Sequence, residues 1–397
     1  MSEVRVNNLS NESLTGGPTI SGITTFSSPY FFVPPQGDTR DRPSSCPPGS
    51  LRFNTDSAKL EYYKGDTIGW VEIEATNPNL GDFTAGDSAA GEGHRGVLGG
   101  GYESYPTIVN KYDFITIPTL GNTTDFGDMQ GSGKGANTAL GSRERGIYAG
   151  GQIPSNVNQI EFITFATKGN GIDFGDLLKL FHTMAPGASQ TRGIFAGGKS
   201  NPSPANHHDD TIQYITIASQ GDAVDFGNLT VARSNTDSGG SSTTRAVFAR
   251  GYSDPAYTNA MDYVTISSTG DAIDFGDIYS TGYGSQDGIV SSATRGIIAG
   301  GYDDDSPYNA HVNTIRYITI ATTGDAQDFG DLTQDEVYSS GMCSPTRGCF
   351  AGGSDPTISN VIDYITIQTL GNALDFGDIA TTGRAQAGGC SNGHGGL

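Results

Sequence analysis

The chain has little charge and few cysteines, and both shortages exclude classes of protein. Charged residues make up only 16% of its 397 residues, too few for a solvated coiled coil or a typical helical enzyme. Its cysteines contain no CxxC pair, so we expect neither a disulfide framework nor a structural zinc site. The cysteines are Cys46, Cys343, Cys349 and Cys390.

Basic residues and long apolar runs are also scarce. The chain has 22 lysines and arginines and 43 aspartates and glutamates, which gives a formal net charge of −21. Nucleic-acid binding depends on basic side chains that neutralise phosphates, so no nucleic-acid partner is expected. No stretch of eighteen apolar residues and no secretory leader occur, which predicts a soluble protein made in a cytoplasm, without membrane insertion.

What the chain does have is a repeat of about fifty residues, rich in glycine. A segment such as Thr-Arg-Gly-Ile-Phe-Ala-Gly-Gly is followed by Asp-Tyr-Ile-Thr-Ile and then by Asp-Phe-Gly-Asp, six times over. The leading arginines are Arg95, Arg145, Arg192, Arg245, Arg295 and Arg347. Short apolar runs at this period, separated by glycine turns, are typical of a β-propeller with one four-stranded blade per repeat.

Each repeat predicts four strands, A to D, with B and C buried on both faces. The step from the strand C aromatic to the strand D phenylalanine is always 12 residues, as from Phe114 to Phe126. The step from the arginine to that aromatic varies between 17 and 22 residues, so length variation gathers in the B–C loops. Variable loops on a rigid frame often carry function, which favours the B–C loop face as the functional one.

The two ends of the chain suggest how the array closes. Residues 384–394 resemble one more strand A, and residues 49–74 contain three short β segments. We expect these ends to combine into a composite blade, giving seven blades, with six blades as the alternative. The predicted domains are therefore an arm at 1–48 and a propeller at 49–397. Within the propeller, 49–76 and 384–397 supply the composite blade and 85–383 the six repeats.

The order of elements resembles the kelch repeat: Gly-Gly after the second strand, an aromatic residue in the third and a large aromatic in the fourth. The resemblance covers residues 85–397 and implies an all-β, kelch-like propeller. Phenylalanine in Asp-Phe-Gly-Asp replaces the tryptophan that is usual in kelch repeats.

The first 48 residues combine many prolines and glycines with apolar patches at 20–26 and 30–33, which predicts an extended arm lying on another chain. Segments such as Gly-Gly-Pro-Thr-Ile-Ser-Gly-Ile-Thr-Thr-Phe-Ser and Phe-Phe-Val-Pro-Pro resemble the starts of virion structural proteins of marine tailed bacteriophages, especially cyanophages. The resemblance implies a fibre, tail-associated protein or capsid decoration in the virion, present in several copies. Other virion proteins would then be partners through residues 1–48.

Several motifs could have a catalytic or binding role, but each has a simpler structural explanation. Asp-Phe-Gly occurs six times without the other kinase motifs, so its phenylalanine should pack between blades and its aspartate should accept backbone N–H bonds. The repeated arginine could form an anion-binding ring, but a hydrogen bond between blades is favoured. His207–Asp210 and Asp303–Asp305 could bind a metal or calcium, yet both are more typical of solvated loops. No catalytic residue, metal site or cofactor is predicted.

The B–C loops are rich in tyrosine mixed with small polar residues, a composition typical of recognition surfaces. The predicted binding residues are Tyr102, Tyr105, Tyr252, Tyr257, Tyr302 and Tyr308. We therefore predict a non-enzymatic virion protein whose propeller acts as an adhesin or decoration, with a host cell-surface glycan or protein as a candidate ligand. The alternative is a propeller enzyme that acts on host-surface glycans.

Overall fold

The computed structural model divides the chain into two compact units, Met1–Leu80 and Gly81–Leu397. It describes residues 34–44, 46–57, 59–72, 95–153, 155–201, 207–278, 290–303, 310–354, 356–380 and 382–397. These stretches contain no α-helix, and therefore none that could cross a membrane. The predicted all-β class is confirmed. Most of the predicted arm, residues 1–33, and Tyr308 lie outside the described residues.

The first unit contains one small sheet. Its strands, in spatial order, are Gln36–Gly37, Leu51–Asn54, Lys59–Tyr63 and Trp70–Glu72, and a 3-10 turn covers Thr39–Asp41. The first pair is parallel and the others are antiparallel. Glu61 is fully buried in this sheet, where Arg42 and Arg52 both form ion pairs with its carboxylate. Hydrogen bonds from Arg42 lower the pKa of Glu61, which keeps the carboxylate charged.

The second unit contains six antiparallel sheets, each with strands in the order A–B–C–D. The A strands of sheets 1 to 6 are Gly388–Ser391, Thr138–Gly141, Ala185–Ala188, Asp237–Ser241, Val290–Ser291 and Ser340–Cys343. The B strands are Arg95–Gly99, Arg145–Ala149, Arg192–Ala196, Arg245–Ser253, Arg295–Ala299 and Arg347–Ala351. The C strands are Lys111–Thr116, Ser155–Thr164, Thr211–Thr216, Ala256–Thr265, Thr314–Thr319 and Val361–Thr366. The D strands are Thr124–Asp128, Ile172–His182, Val224–Asn228, Ile273–Asp277, Gln327–Asp331 and Leu374–Asp378.

Short strands extend the B–C loops of several sheets. Gln152–Ile153, Lys199–Asn201 and His207–His208 add to sheet 2, which thereby has seven strands. Separate hairpins pair Tyr102–Ser104 with Thr107–Ile108, and Tyr302–Asp303 with Ala310–His311. The variable loops are thus partly ordered as hairpins.

The closing strand pairs differently from our expectation. Gly388–Ser391 is antiparallel to Arg95–Gly99 and so supplies strand A of sheet 1. The strands at 51–54, 59–63 and 70–72 form their own sheet in the first unit instead of joining a composite blade. The physical reason lies in the spacing: the first repeat needs a strand A beside Arg95–Gly99, whereas the step from Tyr63 to Trp70 is only 7 residues and does not match the 12-residue turn of the repeats.

Apolar side chains between neighbouring sheets form six core clusters. Each cluster joins one sheet to the next, and the sixth joins sheet 6 to sheet 1. Strand B side chains alternate between two clusters: Val97 packs towards sheet 2 and Leu98 towards sheet 6. This confirms that the B strands are buried on both faces.

The repeated arginines connect each sheet to its neighbour, as predicted. In every repeat the guanidinium Nη1 donates to a backbone carbonyl just after strand C of the next sheet, at 2.5 to 3.3 Å. Arg347 of sheet 6 donates to Ile117 and Pro118 of sheet 1. The same guanidinium lies over the strand C aromatic of its own sheet, as Arg192 does over Tyr214 at 4.3 Å.

The Asp-Phe-Gly-Asp motif fits the prediction only in its phenylalanine. Phe126 is 2% exposed and packs in a core cluster, as its five counterparts do. Because strand side chains alternate, the preceding Asp125 points away from the core and is exposed. The acceptor for the motif's last backbone N–H is instead a turn residue of the next sheet: Asp128 N donates to Asn170 Oδ1 at 3.0 Å. Gly127 has a φ of +156°, and a Cβ there would lie 2.3 Å from the Gly169 oxygen.

Residues 392–397 pack against the ends of several A strands. His394 Nε2 lies 2.6 Å from the Gly141 carbonyl oxygen, and Gly395 N donates to Ser291 Oγ. A Cβ on Gly396 would lie 1.9 Å from the Ala188 oxygen, so only glycine fits. Burial lowers the pKa of His394 to about 4.

Candidate functional site

The predicted binding tyrosines lie on the B–C loop side of the second unit. In an antiparallel sheet the B–C loops and the D-to-A connections lie at the same end of the strands. Loops from different sheets therefore come together at this end. Tyr102 and Tyr105 lie in the hairpin of sheet 1, Tyr252 and Tyr257 in sheet 4, and Tyr302 in the hairpin of sheet 5. Tyr308 lies outside the described residues.

Sheet 4 has a long hairpin on this side. Its strand B continues to Ser253 and its strand C begins at Ala256, so the two strands run together to one turn. Tyr252 and Tyr257 are directly opposed in this hairpin, with ring centroids 5.0 Å apart. Cross-strand aromatic pairs of this kind stabilise a hairpin.

Five aromatic rings form a continuous row over sheets 3 to 5, which we call the aromatic stripe. Its members, in order, are His208, Tyr252, Tyr257, Tyr302 and His311. Successive ring centroids are 5.1, 5.0, 5.9 and 5.8 Å apart, within the range of direct aromatic contact. All five side chains are half-buried, so each is supported from below and presents part of its surface to solvent.

Hydrogen bonds to the backbone hold one end of the stripe. Tyr252 and Ser234 exchange both backbone N–H···O bonds, at 2.7 and 3.0 Å. The Ser234 hydroxyl also lies 2.8 Å from His208 Nδ1. Burial and the nearby Lys199 charge lower the pKa of His208, which favours the neutral imidazole. Ser234 thus connects the loop of sheet 3 to the hairpin of sheet 4.

A second aromatic group lies over sheets 1 and 2. Tyr102 and Tyr105 have ring centroids 4.6 Å apart, and the Tyr102 hydroxyl donates to Gln152 Oε1 at 3.0 Å. Gln152 Nε2 lies 3.5 Å from Nε2 of the buried His182, whose pKa burial lowers to about 4. Tyr105 is 56% exposed. The structure therefore brings the predicted tyrosines into two groups, of which the stripe is the longer.

The candidate metal loops have other partners. Asp209 is 4% exposed and accepts from Lys179 Nζ at 2.8 Å and from Thr211, bonds that lower its pKa to about 2 despite its burial. Among the described residues no group of three or more histidines, cysteines or acids is placed to hold a metal ion. Asp304 and Asp305 lie outside the described residues.

Sequence reasoning missed His208 and His311 as members of the stripe. His208 was considered only within the candidate metal loop His207–Asp210, and His311 was not singled out. The signal that could have found them is their position in the loops of adjacent repeats.

The rings of the stripe are half-buried, so the stripe can offer ring faces and polar edges to a ligand. No protein-family model matches the chain, and no curated protein matches it either.

Proposed function

We propose that the six sheets of Gly81–Leu397 form one closed, six-bladed, kelch-like β-propeller. Three cyclic sets of contacts support this proposal: the core clusters, the arginine bonds and the C–D turn bonds all include sheet 6 with sheet 1. The A strands also contact one another in sequence, that of sheet 6 with that of sheet 1 included. A ring closed by a strand from the other end of the repeats has no open edge between its first and last blades.

We propose further that the chain is a non-enzymatic structural protein of a bacteriophage virion, in which the propeller recognises a host cell-surface glycan or protein. The virion assignment depends on the resemblance of N-terminal segments, such as residues 16–27 and 31–35, to the starts of phage structural proteins. The recognition role depends on one observation, the aromatic stripe. Several half-buried rings on ordered hairpins are suited to a ligand that the protein must hold without chemical change.

The chemistry of the stripe favours this use. Tyrosine contributes a large contact area with only two side-chain torsions to restrict, so little entropy is lost on binding. Its ring can stack on the C–H face of a sugar or on an apolar side chain, and its hydroxyl can hydrogen-bond at the rim. Repulsion from an acidic protein, with a net charge of −21, would oppose an anionic polymer as the ligand.

The experiment is a binding assay with fluorescently labelled full-length protein on marine cyanobacterial strains. The test variant replaces Tyr252, Tyr257 and Tyr302 by serine. The control variant replaces Ile172, Val224 and Ile273, which are 50–59% exposed at the start of D strands, also by serine. We expect the tyrosine variant to bind at least about tenfold more weakly, on the order of 1.4 kcal/mol, and the control to bind like the parent.

Both variants should keep melting temperatures close to the parent because the substituted side chains lie outside the core clusters. Equal binding by the parent and the tyrosine variant would contradict recognition by the stripe. The virion assignment has a separate check. Mass spectrometry of purified phage particles should detect the chain, and a density map of the particle should contain a propeller with six blades.

A further inference from the structure

We propose that Arg250 is a positioning residue of the aromatic stripe, which holds the Tyr252–Tyr257 hairpin of sheet 4 against Tyr302 of sheet 5. The proposal rests on the recognition function proposed above for the stripe. It concerns a residue that touches no ligand and acts through the tyrosines.

Arg250 occupies a position where every other repeat has glycine. Five residues after the leading arginine the other repeats have Gly100, Gly150, Gly197, Gly300 and Gly352, all with φ between +62° and +69°. Arg250 keeps the left-handed conformation, with a φ of +40°, although a Cβ makes that region unfavourable. Strain of this kind persists only where the surroundings hold it, and it is concentrated at functional sites.

The side chain of Arg250 reaches across to the next sheet. It is 2% exposed, and its guanidinium donates from Nη1 to the Gly300 oxygen at 3.0 Å and from Nη2 to the Ala299 oxygen at 3.3 Å. A Cβ on Gly301 would lie 2.6 Å from Nη1, so the guanidinium packs directly on the backbone that precedes Tyr302. One side chain thus fixes the two segments that carry the central rings of the stripe.

The backbone at Arg250 also sets the direction of the hairpin. The pairing of strands B and C shifts between Ala249 and Gly251, and beyond the shift Tyr252 faces Tyr257. Local irregularities in a ladder bend the strand and redirect the side chains that follow. In the other repeats strand B ends just before the two glycines, whereas here it continues through the corresponding residues, Arg250 and Gly251, to Ser253. The substitution by arginine therefore coincides with the only repeat whose strands B and C, in the described residues, run on together as one hairpin to a shared turn.

The test uses full-length protein that contains 3-fluorotyrosine, with the ¹⁹F resonances of Tyr252, Tyr257 and Tyr302 assigned by single substitution to phenylalanine. Arg250→Asn keeps a residue that tolerates the left-handed conformation but is too short to reach sheet 5. Arg250→Lys keeps the charge and can donate to one of the two carbonyls. The matched control is Arg295→Ala, which removes a bond from sheet 5 to sheet 6 away from the stripe.

We expect Arg250→Asn to shift or broaden the Tyr257 and Tyr302 resonances, and Arg250→Lys to have a smaller effect. Arg295→Ala should lower the melting temperature and leave those resonances unchanged. Unchanged resonances in Arg250→Asn would overturn the proposal. If Arg250→Asn does not fold, Arg250→Lys decides in the same way, since loss of one of two bonds must still alter the contact between the rings.

A binding experiment distinguishes this proposal from the proposed recognition function. On cyanobacterial cells, Arg250→Asn should bind at least threefold more weakly than the parent. If the rings move but both Arg250→Asn and the triple tyrosine variant bind like the parent, the recognition function is wrong and the positioning role stands. If the triple variant loses binding while Arg250→Asn, with displaced rings, binds normally, positioning by Arg250 is irrelevant to recognition and the proposal is wrong.

Discussion

Arg192 shows how the repeated arginine stabilises the contact between sheets. Its Nη1 donates to the Ile266 oxygen at 2.8 Å, and its guanidinium lies 4.3 Å from the Tyr214 ring centroid. Arg192→Ala removes a charged hydrogen bond and a cation–π contact together, so we expect a loss of about 2 to 3 kcal/mol in the free energy of unfolding. Urea denaturation measures this loss. The exposed control Lys111→Ala should change it by less than about 0.5 kcal/mol. Equal effects of the two substitutions would show that the arginine bonds do not stabilise the fold.

His394 predicts a dependence of stability on pH. Its Nε2 lies against the Gly141 oxygen and its Nδ1 accepts from Gly396 N, so both nitrogens are occupied in the neutral ring. Its pKa is about 4 in the folded state and about 6.5 when unfolded, so the unfolded state binds more protons between these values. The stability that depends on neutral His394 is therefore present above pH 6.5, and it is lost as the pH falls towards 4.

We expect this one residue to contribute about 2 kcal/mol of destabilisation between pH 7 and pH 5. His394→Gln should flatten the slope of unfolding free energy against pH over that interval, even where it lowers stability at pH 7. The exposed His207→Gln is the control. A parent-like slope in His394→Gln would mean that His394 does not titrate as its burial requires.

Single residues were predictable where the repeat itself exposes their role. The arginine bonds followed from one arginine per repeat, and the buried phenylalanine from its apolar character in a strand. The aspartate of Asp-Phe-Gly-Asp was predicted wrongly because its acceptor role belongs to Asn170 and its counterparts, which approach from another sheet. Arg250 was not recognised because its significance depends on a backbone angle and on carbonyl groups of the next sheet, neither of which the sequence displays.

At the scale of elements, the B and C strands and the 12-residue C–D step were predictable because both depend on local patterns. The partner of the closing strand was not, since pairing between residues almost 300 positions apart has no local signature. Buried ion pairs were missed for the same reason. In three sheets a basic residue before strand A pairs with an acid in strand C: Lys134 with Glu161, Arg233 with Asp262 and Arg384 with Asp113.

Removing residues 384–397 tests the closing strand. The deletion takes away strand A of sheet 1, the ion pair of Arg384 with Asp113 and the contacts of His394. It also leaves the edge of Arg95–Gly99 unpaired. We expect a loss of about 5 kcal/mol or more in unfolding free energy and increased aggregation, because several of the largest destabilising mechanisms act at once. The milder variant Gly396→Ala should lower the melting temperature through the clash with the Ala188 oxygen. A parent-like melting curve for the deletion would rule out closure by this strand.

The whole molecule separates into a small first unit and a large second unit, and the separation suggests a division of roles. The second unit contains the core clusters and the stripe, whereas the segments that resemble the starts of virion proteins lie within the first. The repeat predicted the all-β class, but the sequence placed the boundary between arm and propeller at residue 48. The small sheet at 36–72 explains the difference, since its described strands pair with one another in a sheet of their own.

The last prediction separates attachment to the particle from recognition of the host. A chain of residues 81–397 should fold by itself, because the contacts that stabilise the six sheets lie within that range. It should bind cyanobacterial cells like the full chain but should be missing from purified particles, as judged by mass spectrometry relative to the major capsid protein. The full-length triple tyrosine variant should behave in the opposite way, joining particles normally while binding cells at least about tenfold more weakly. Normal incorporation of residues 81–397 would place the attachment surface on the second unit. The anchoring role predicted for residues 1–48 would then have to be abandoned, whereas recognition by the stripe would still be judged by the cell-binding result alone.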